Sequence, residues 1–249
     1  MSGHSKWSTI KRAKGAADAK RGQLFTKLGR EITIAAREGG GDPTGNSSLR
    51  LAIQKARDSN MPVDNIERAI KRATGGTDAA ALTEMTLEGY SPGGAALLLQ
   101  ILTDNRNRTV SEVRNIFTRS NANLGENGSV SWVFDKKGFI TVEAEADTEE
   151  LALKAIDAGA DDVRTEEKVV EIYAKPEDSE AIRKALEKNG VTISSAEVTL
   201  IPKTMMKLNE KDALQTLKLL DKLEDIDGVQ HVFTNADFSD EVVATYRSG

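Results

Sequence analysis

The stretch "VVEIYAKPEDSEAIRKALEKNGVTISSAEVTLIPK", Val169 to Lys203, decides the architecture of this chain. "VVEIYAK" is rich in β-branched and aromatic residues and reads as a strand. "PEDSEAIRKALEKNG" reads as a helix, with Pro176 near its start and Gly190 at its end. "AEVTLIPK" is a strand again. The preceding residues supply the other half of the pattern. "GFITVEAE" from Gly138 reads as a strand, "TEELALKAIDAGA" from Thr148 as a helix, and "DVRTEE" from Asp162 as a strand. The order β-α-β-β-α-β is that of a ferredoxin-like unit.

On either side lie pieces of a second unit. Met85–Tyr90 and Ala95–Leu102 read as strands around the turn "SPGG", Ser91–Gly94. "TVSEVRNIFTRS" reads as a helix, with Thr109 and Glu112 spaced as a capping box. "SVSWVF", Ser129–Phe134, alternates as a strand. Beyond the ferredoxin-like unit, Asn209–Asp225 forms an amphipathic helix on Leu214, Leu217, Leu220 and Leu223. "VQHVFTNAD" then closes the chain as a strand. These pieces complete one α+β domain into which the ferredoxin-like unit is inserted.

The first segment is helical. Asp18–Gly39 places Leu24, Phe25, Leu28, Ile32, Ala35 and Ala36 on one face, and Gly39–Pro43 stops the helix. Ser48–Ser59 repeats the pattern up to Pro62. Asp64, three residues before Glu67, is spaced to open a third helix whose stripe is Ile66, Ala69, Ile70 and Ala73. The expected organisation is α+β in three domains. Residues 1–79 form a basic arm and helical bundle, 80–134 with 205–249 a discontinuous α+β domain, and 135–204 the ferredoxin-like domain.

Charge divides along the same lines. The 249-residue chain carries net charge −5. Yet Met1 to Arg72 holds 15 Lys/Arg against 7 Asp/Glu, and the remainder 19 against 32. Such sign asymmetry points to a polyanion-binding module joined to an acidic body. Between Ser5 and Phe25 stand Lys6, Lys11, Arg12, Lys14, Lys20 and Arg21, opposed only by Asp18. Cations at this density neutralise phosphates and release counterions. Trp7 among them can stack on an unpaired base. Behind the arm, Lys27, Arg30 and Arg37 lie off the apolar stripe of the first helix, and Arg68, Lys71 and Arg72 on the polar side of the third. The bland alternative is a solubilising tail with Trp7 packed on the bundle.

Other motifs carry less. "GGDPTGNS", Gly40–Ser47, lacks the lysine of a phosphate loop, where Asn46 stands, and follows a helix. It reads as a helix–helix connection. "TDNRNRT", Thr103–Thr109, brings Asn105, Arg106, Asn107 and Arg108 to a helix start, where anions are favoured. It can grip a phosphate or a partner's backbone. Equally, Asp104 can pair with Arg106 or Arg108 while the asparagines shape the turn. Asp161-Asp162 and Glu166-Glu167 read as a solvated face rather than a cation site.

There is no cysteine, which excludes disulfides, thiolate metal sites and cysteine nucleophiles. The only histidines are His4 and His231, and no HExxH or G-x-S-x-G occurs, so no enzymatic reading is expected. No apolar run reaches the roughly 18 residues of a membrane span, and no secretory signal is seen. A soluble cytoplasmic protein is expected.

"GHSKW" (Gly3–Trp7), "DAKRG" (Asp18–Gly22), "FTKL" (Phe25–Leu28), "GGGDP" (Gly39–Pro43), "DNIERAIKR" (Asp64–Arg72), "LTDNRNRT" (Leu102–Thr109) and "NLGE" (Asn123–Glu126) resemble the YebC/PmpR family along the whole chain. The resemblance implies a helical bundle and two α+β domains, one inserted in the other. It implies no metal, cofactor or catalysis. Members are described as transcriptional regulators that bind DNA. Others, among them a mitochondrial activator of cytochrome c oxidase subunit synthesis, are described as translation factors acting on ribosomes and so on ribosomal RNA. Within the arm this chain reads "WSTIKRAK", Trp7–Lys14, where many relatives read "WANIKHRK". The basicity is kept and a histidine is lost. The implied function is nucleic-acid-binding gene regulation, transcriptional first, with ribosomal RNA as the alternative partner.

Overall fold

A 22-residue helix with an apolar stripe needs partners for it, and two shorter helices supply them. In the computed structural model, residues 18–75, 82–143, 148–166 and 169–248 are described, with 18–20 and 166 described by backbone alone. Helix α1 (Asp18–Gly39) packs against α2 (Ser47–Asp58) and α3 (Val63–Thr74). Leu28, Ile32 and Ala36 meet Leu49, Ile53, Ala56, Met61 and Ile66 in one buried cluster. Leu24 was expected in that stripe but is 41% exposed, so the core begins at Phe25 and Leu28.

Connections within the bundle are fixed by side-chain amides. Asn46 caps α2, accepting from the Leu49 amide at 3.0 Å and donating to the carbonyls of Ala35 and Gly40 at 2.7 and 2.8 Å. The "GGDPTGNS" segment is thus a helix–helix connection, and its buried Asn46 holds backbone rather than phosphate. Helix α3 opens differently from expectation. It begins at Val63 directly after Pro62, and no side chain caps it.

The second unit is built on β1 (Thr83–Tyr90) and β2 (Ala96–Thr103), paired antiparallel from Thr83↔Thr103 to Tyr90↔Ala96. The turn between them needs φ of +82° at Gly93 and +90° at Gly94, which only glycine adopts freely. Helix α4 (Arg106–Arg119) and the two-residue β3 (Asn123–Leu124) follow. The sheet is completed from far along the chain by β9 (Val229–Thr234), giving the order β3-β1-β2-β9. β2 is buried on both faces, as its run "ALLLQILT" dictates. On one face Leu97, Leu99 and Ile101 meet Val113 and Phe117 of α4 and the leucines of a later helix, Glu210–Glu224. On the other, Ala96, Leu98 and Phe233 meet Val130, Val133 and Phe134.

The chain leaves this unit along β4 (Phe134–Glu143), whose first residue still packs in the first sheet's second core. Then come α5 (Thr148–Asp157), β5 (Asp162–Glu166), β6 (Val169–Ala174), α6 (Ser179–Lys188) and β7 (Ser195–Pro202). The sheet order is β5-β6-β4-β7, all antiparallel, with both helices on one face over Ile140, Val142, Val170 and Ile172. Residues 134 and 135 therefore lie within one continuous strand. The return path runs through β8 (Met206–Lys207), α7 (Glu210–Glu224), β9, β10 (Ala236–Asp237) and α8 (Asp240–Ser248).

Three local expectations change. Helix α4 is capped by Asn105, which accepts from the Arg108 amide at 3.1 Å. Thr109 lies inside the helix, buried, its hydroxyl 2.9 Å from that of Thr103. The chain ends not on a strand but on α8, whose Val242, Val243 and Tyr246 join the main core. "SVSWVF" contains a 3-10 turn at Ser131–Val133, and the strand starts only at Phe134. The cause is Glu88 on β1, only 4% exposed. Its carboxylate accepts from the amides of Gly128, Val130 and Ser131 at 2.8, 2.7 and 2.9 Å. Those donors are withdrawn from any ladder. Burial alone would push the carboxyl up, but the three amides outweigh it and hold its pKa below the usual value.

Among the described residues no helix is long and apolar enough to cross a membrane. Glu88→Ala is expected to leave the fold intact while lowering protection of the Gly128, Val130 and Ser131 amides by about 2 kcal/mol, roughly thirty-fold in hydrogen-exchange rate. Unchanged protection would show that the carboxylate does not hold the turn.

Candidate nucleic-acid interface

Helix α1 has two faces with different work. Opposite the apolar stripe, Gln23, Lys27 and Arg30 recur at the spacing of one helical face. All three donate to carbonyls at the end of α7 and in the loop after it. Lys27 Nζ reaches the Glu224 carbonyl at 2.6 Å, Gln23 Nε2 the Asp225 carbonyl at 3.4 Å, and Arg30 Nη1 the Asp227 carbonyl. The last carbonyls of a helix lack intrahelical partners and carry the negative end of its dipole. Cations are the natural groups to meet them. Lys27 is only 9% exposed as a result.

One turn along, Glu31 joins the two units. Its carboxylate lies 3.1 Å from Lys55 Nζ of α2 and 3.5 Å from His231 Nε2 of β9. Burial would raise its pKa, but the His231 and Lys55 contacts outweigh that and lower it to about 2. His231 in turn stacks on Phe233 at 5.9 Å between ring centroids. The bundle is thereby fixed to the edge of the first sheet.

The sequence-predicted contact residues divide into three sets. Lys6, Trp7, Lys11, Arg12 and Lys14 lie outside the described residues. So do the side chain of Lys20 and the domain boundary at residues 79 and 80. Lys27 and Arg30, read as solvent-facing, instead engage carbonyls of the neighbouring unit. Arg21, Arg37, Arg68, Lys71 and Arg72 are exposed. Arg50 and Arg57 on α2 are also exposed and were not singled out. On their helix they flank the stripe of Leu49, Ile53 and Ala56.

The exposed face of α3 is not uniformly basic. Its first turn presents Asp64, and Glu67 follows, both exposed, whereas Arg68, Lys71 and Arg72 cluster toward its end. Arg68 folds back on its own helix, its Nε 3.1 Å from the Asp64 carbonyl. A helix that reads bases in the major groove uses its N-terminal residues. Here those residues are acidic and would face phosphates of like charge. The arrangement suits contact with a phosphate backbone better than base readout.

At the start of α4, Asn105, Arg106, Asn107 and Arg108 are all exposed. Asn105 spends its side chain on the cap, and Arg108 pairs with Asp104 at 3.0 Å. Of the two readings left open by the sequence, turn-shaping interactions account for Asp104, Asn105 and Arg108. The acidic stretch in the ferredoxin-like unit is likewise engaged. Asp161 pairs with Lys137 at 2.9 Å and Asp162 with Arg164 at 3.1 Å. Glu167 lies outside the described residues. Among the described residues no group of three or more His, Cys, Asp or Glu could hold a metal ion.

Comparison with known proteins accounts for nearly the whole chain. Residues 5–76 match the family described as TACO1/YebC protein N-terminal domain, and residues 82–236 that described as TACO1/YebC second and third domain. A "probable transcriptional regulatory protein" of Dehalococcoides mccartyi is 61% identical over 249 residues, covering 100% of this chain and 99% of that protein. One of the same description from Geobacter sulfurreducens is 56% identical over 241 residues, covering 97% and 98%. A crystal structure of a conserved hypothetical protein from Aquifex aeolicus superposes with a TM-score of 0.82 at 46% identity. That likeness covers 90% of this chain and 93% of that one.

The Glu31 contact makes a pH prediction. Its pKa is lowered on folding from 4.5 to about 2. Its contribution to stability is therefore present above 4.5 and is lost as pH falls through that window. Thermal melts from neutral pH downward should show a drop in the native chain that Glu31→Gln lacks. Parallel curves for the two proteins would remove Glu31 from the interface.

Proposed function

Because the chain belongs to the TACO1/YebC family, we propose that it is a gene-expression regulator that holds nucleic acid through the cations of its N-terminal arm and bundle. The observation that carries this reading is the segregation of charge. The 15 Lys/Arg against 7 Asp/Glu before Ala73 stand against an acidic remainder. Arg21, Arg37, Arg50, Arg57, Arg68, Lys71 and Arg72 are turned to solvent on the bundle. Phosphate neutralisation needs such a surface and no catalytic group. The protein acts by binding, without catalysis and without a cofactor, in the cytoplasm.

The relatives' names support a transcriptional role, and in that role the partner is DNA. A second reading, folded RNA of the ribosome, is favoured by the acidic first turn of α3, which suits no groove-reading helix. Folded RNA is recognised by shape, phosphates and unstacked bases, which a basic arm with a single tryptophan can reach.

Replacing Lys11, Arg12, Lys14, Lys20 and Arg21 with Gln tests the reading. Each lost phosphate contact should flatten the slope of log affinity against log salt by about 0.9 on duplex DNA and by about 0.7 on single strands. Titrations against duplex DNA and a folded ribosomal RNA fragment, run side by side, identify the partner. The physiological one is bound more tightly and shows the larger change. An unchanged slope on both contradicts the proposal.

A further inference from the structure

Trp132 is the most exposed large hydrophobic residue among those described, at 68%. It sits in the 3-10 turn Ser131–Val133 that the buried Glu88 carboxylate holds by three backbone amides. Its ring does not swing freely. Indole Nε1 donates to the Ser129 carbonyl at 3.0 Å. Tyr90, 36% exposed, donates its hydroxyl to the same carbonyl at 3.0 Å. One carbonyl of the turn thus ties two surface aromatics, Trp132 of the turn itself and Tyr90 at the end of β1. Val130 and Val133 on either side of Ser131 and Trp132 are buried against Leu98 and Phe233. The turn is anchored at its apolar residues and offers its aromatic ring outward.

Two lysines accompany the ring. The Lys203 amide donates to the Val133 carbonyl at 2.9 Å, which places Lys203 next to the turn. Its ammonium pairs with Asp135 at 3.2 Å, but both side chains are about half exposed, so the pair is weak and readily exchanged for a phosphate. Lys136 is exposed two residues after Phe134.

The sheet face that carries the turn runs to the edge strand at which the bundle is fixed. Glu88 is opposite Leu98, and Leu98 is opposite Phe233. The three side chains share one face, and two strand spacings separate Glu88 from Phe233 by about 10 Å. His231, two residues from Phe233 on the same face, contacts Glu31 of α1.

We propose that Trp132, with Tyr90 beside it and Lys136 and Lys203 flanking, is a stacking site for an unpaired base of a single-stranded or looped segment of nucleic acid. The proposal rests on the nucleic-acid reading above and adds to it a site outside the arm and bundle. Stacking needs an open π-face, a ring held still and cations for the adjoining phosphates. The site has all three. A duplex, whose bases are already stacked, gains nothing from it.

The chain contains two tryptophans, Trp7 and Trp132, so Trp7→Phe isolates the signal of Trp132. Oligoadenylate RNA, its DNA counterpart, an abasic oligomer of equal charge and a DNA duplex are titrated into this variant. Single strands with bases should quench Trp132 fluorescence, and the abasic strand and the duplex should not. In labelled-oligonucleotide anisotropy, Trp132→Ala should weaken single-strand binding about tenfold or more with the salt slope kept, and Trp132→Phe should restore most of it. Binding of single strands with no quenching and an unchanged affinity for Trp132→Ala overturns the site and leaves the family reading standing. So does a Trp132→Ala defect confined to association with another protein. Failure of the Trp7→Phe and native chains to bind any of the four polyanions would sink the nucleic-acid reading itself, and the site with it.

Discussion

The architecture depends on how one helix satisfies two neighbours. Helix α1 buries Leu28 and Ile32 against its own bundle. Its other face gives Gln23, Lys27 and Arg30 to the carbonyls after α7. Those carbonyls must be paired or hydrated, and a buried lysine must find an acceptor. Each requirement answers the other. Hydrogen bonds from charged donors contribute about 1.5–3 kcal/mol each, so the contact is worth several ordinary surface ion pairs. Glu31, held ionised between Lys55 and His231, adds a contact across the same boundary.

This docking determines which cations remain for a partner. Lys27 and Arg30 are committed to the protein, and the solvent-facing arginines of α2 and α3 with Lys71 are turned outward. It also fixes the bundle at the edge of the sheet that carries the Trp132 turn. The first unit supplies charge and the second supplies a rigid aromatic. The rest of the chain is acidic in balance and repels a polyanion.

The sequence makes the helices and strands legible where apolar period and chain punctuation agree. The ferredoxin-like order, the three bundle helices and the doubly buried β2 follow from such patterns. The failures have specific causes. Lys27 and Arg30 look solvated because their partners are backbone carbonyls, which leave no mark in a sequence. Thr109 and Glu112 have capping-box spacing, but Asn105 also caps and starts the helix a turn earlier. "SVSWVF" alternates like a strand, yet Glu88, some forty residues away, takes the amides a ladder would need. The nine-residue α8 is too short to form without Val242, Val243 and Tyr246 packed into the core. Of the candidate site, the basic character was legible. The division between docked and solvent-facing cations was not, because it arises only when two units meet.

The central claim is that nucleic acid lies on the arm, the bundle and the adjoining sheet face. Ultraviolet cross-linking of the full chain to bound nucleic acid, with peptide mapping by mass spectrometry, tests it directly. The account predicts cross-links within Met1–Gly75 and at the Ser129–Trp132 turn. Cross-links confined to residues 148–202, in the acidic ferredoxin-like unit, would contradict it.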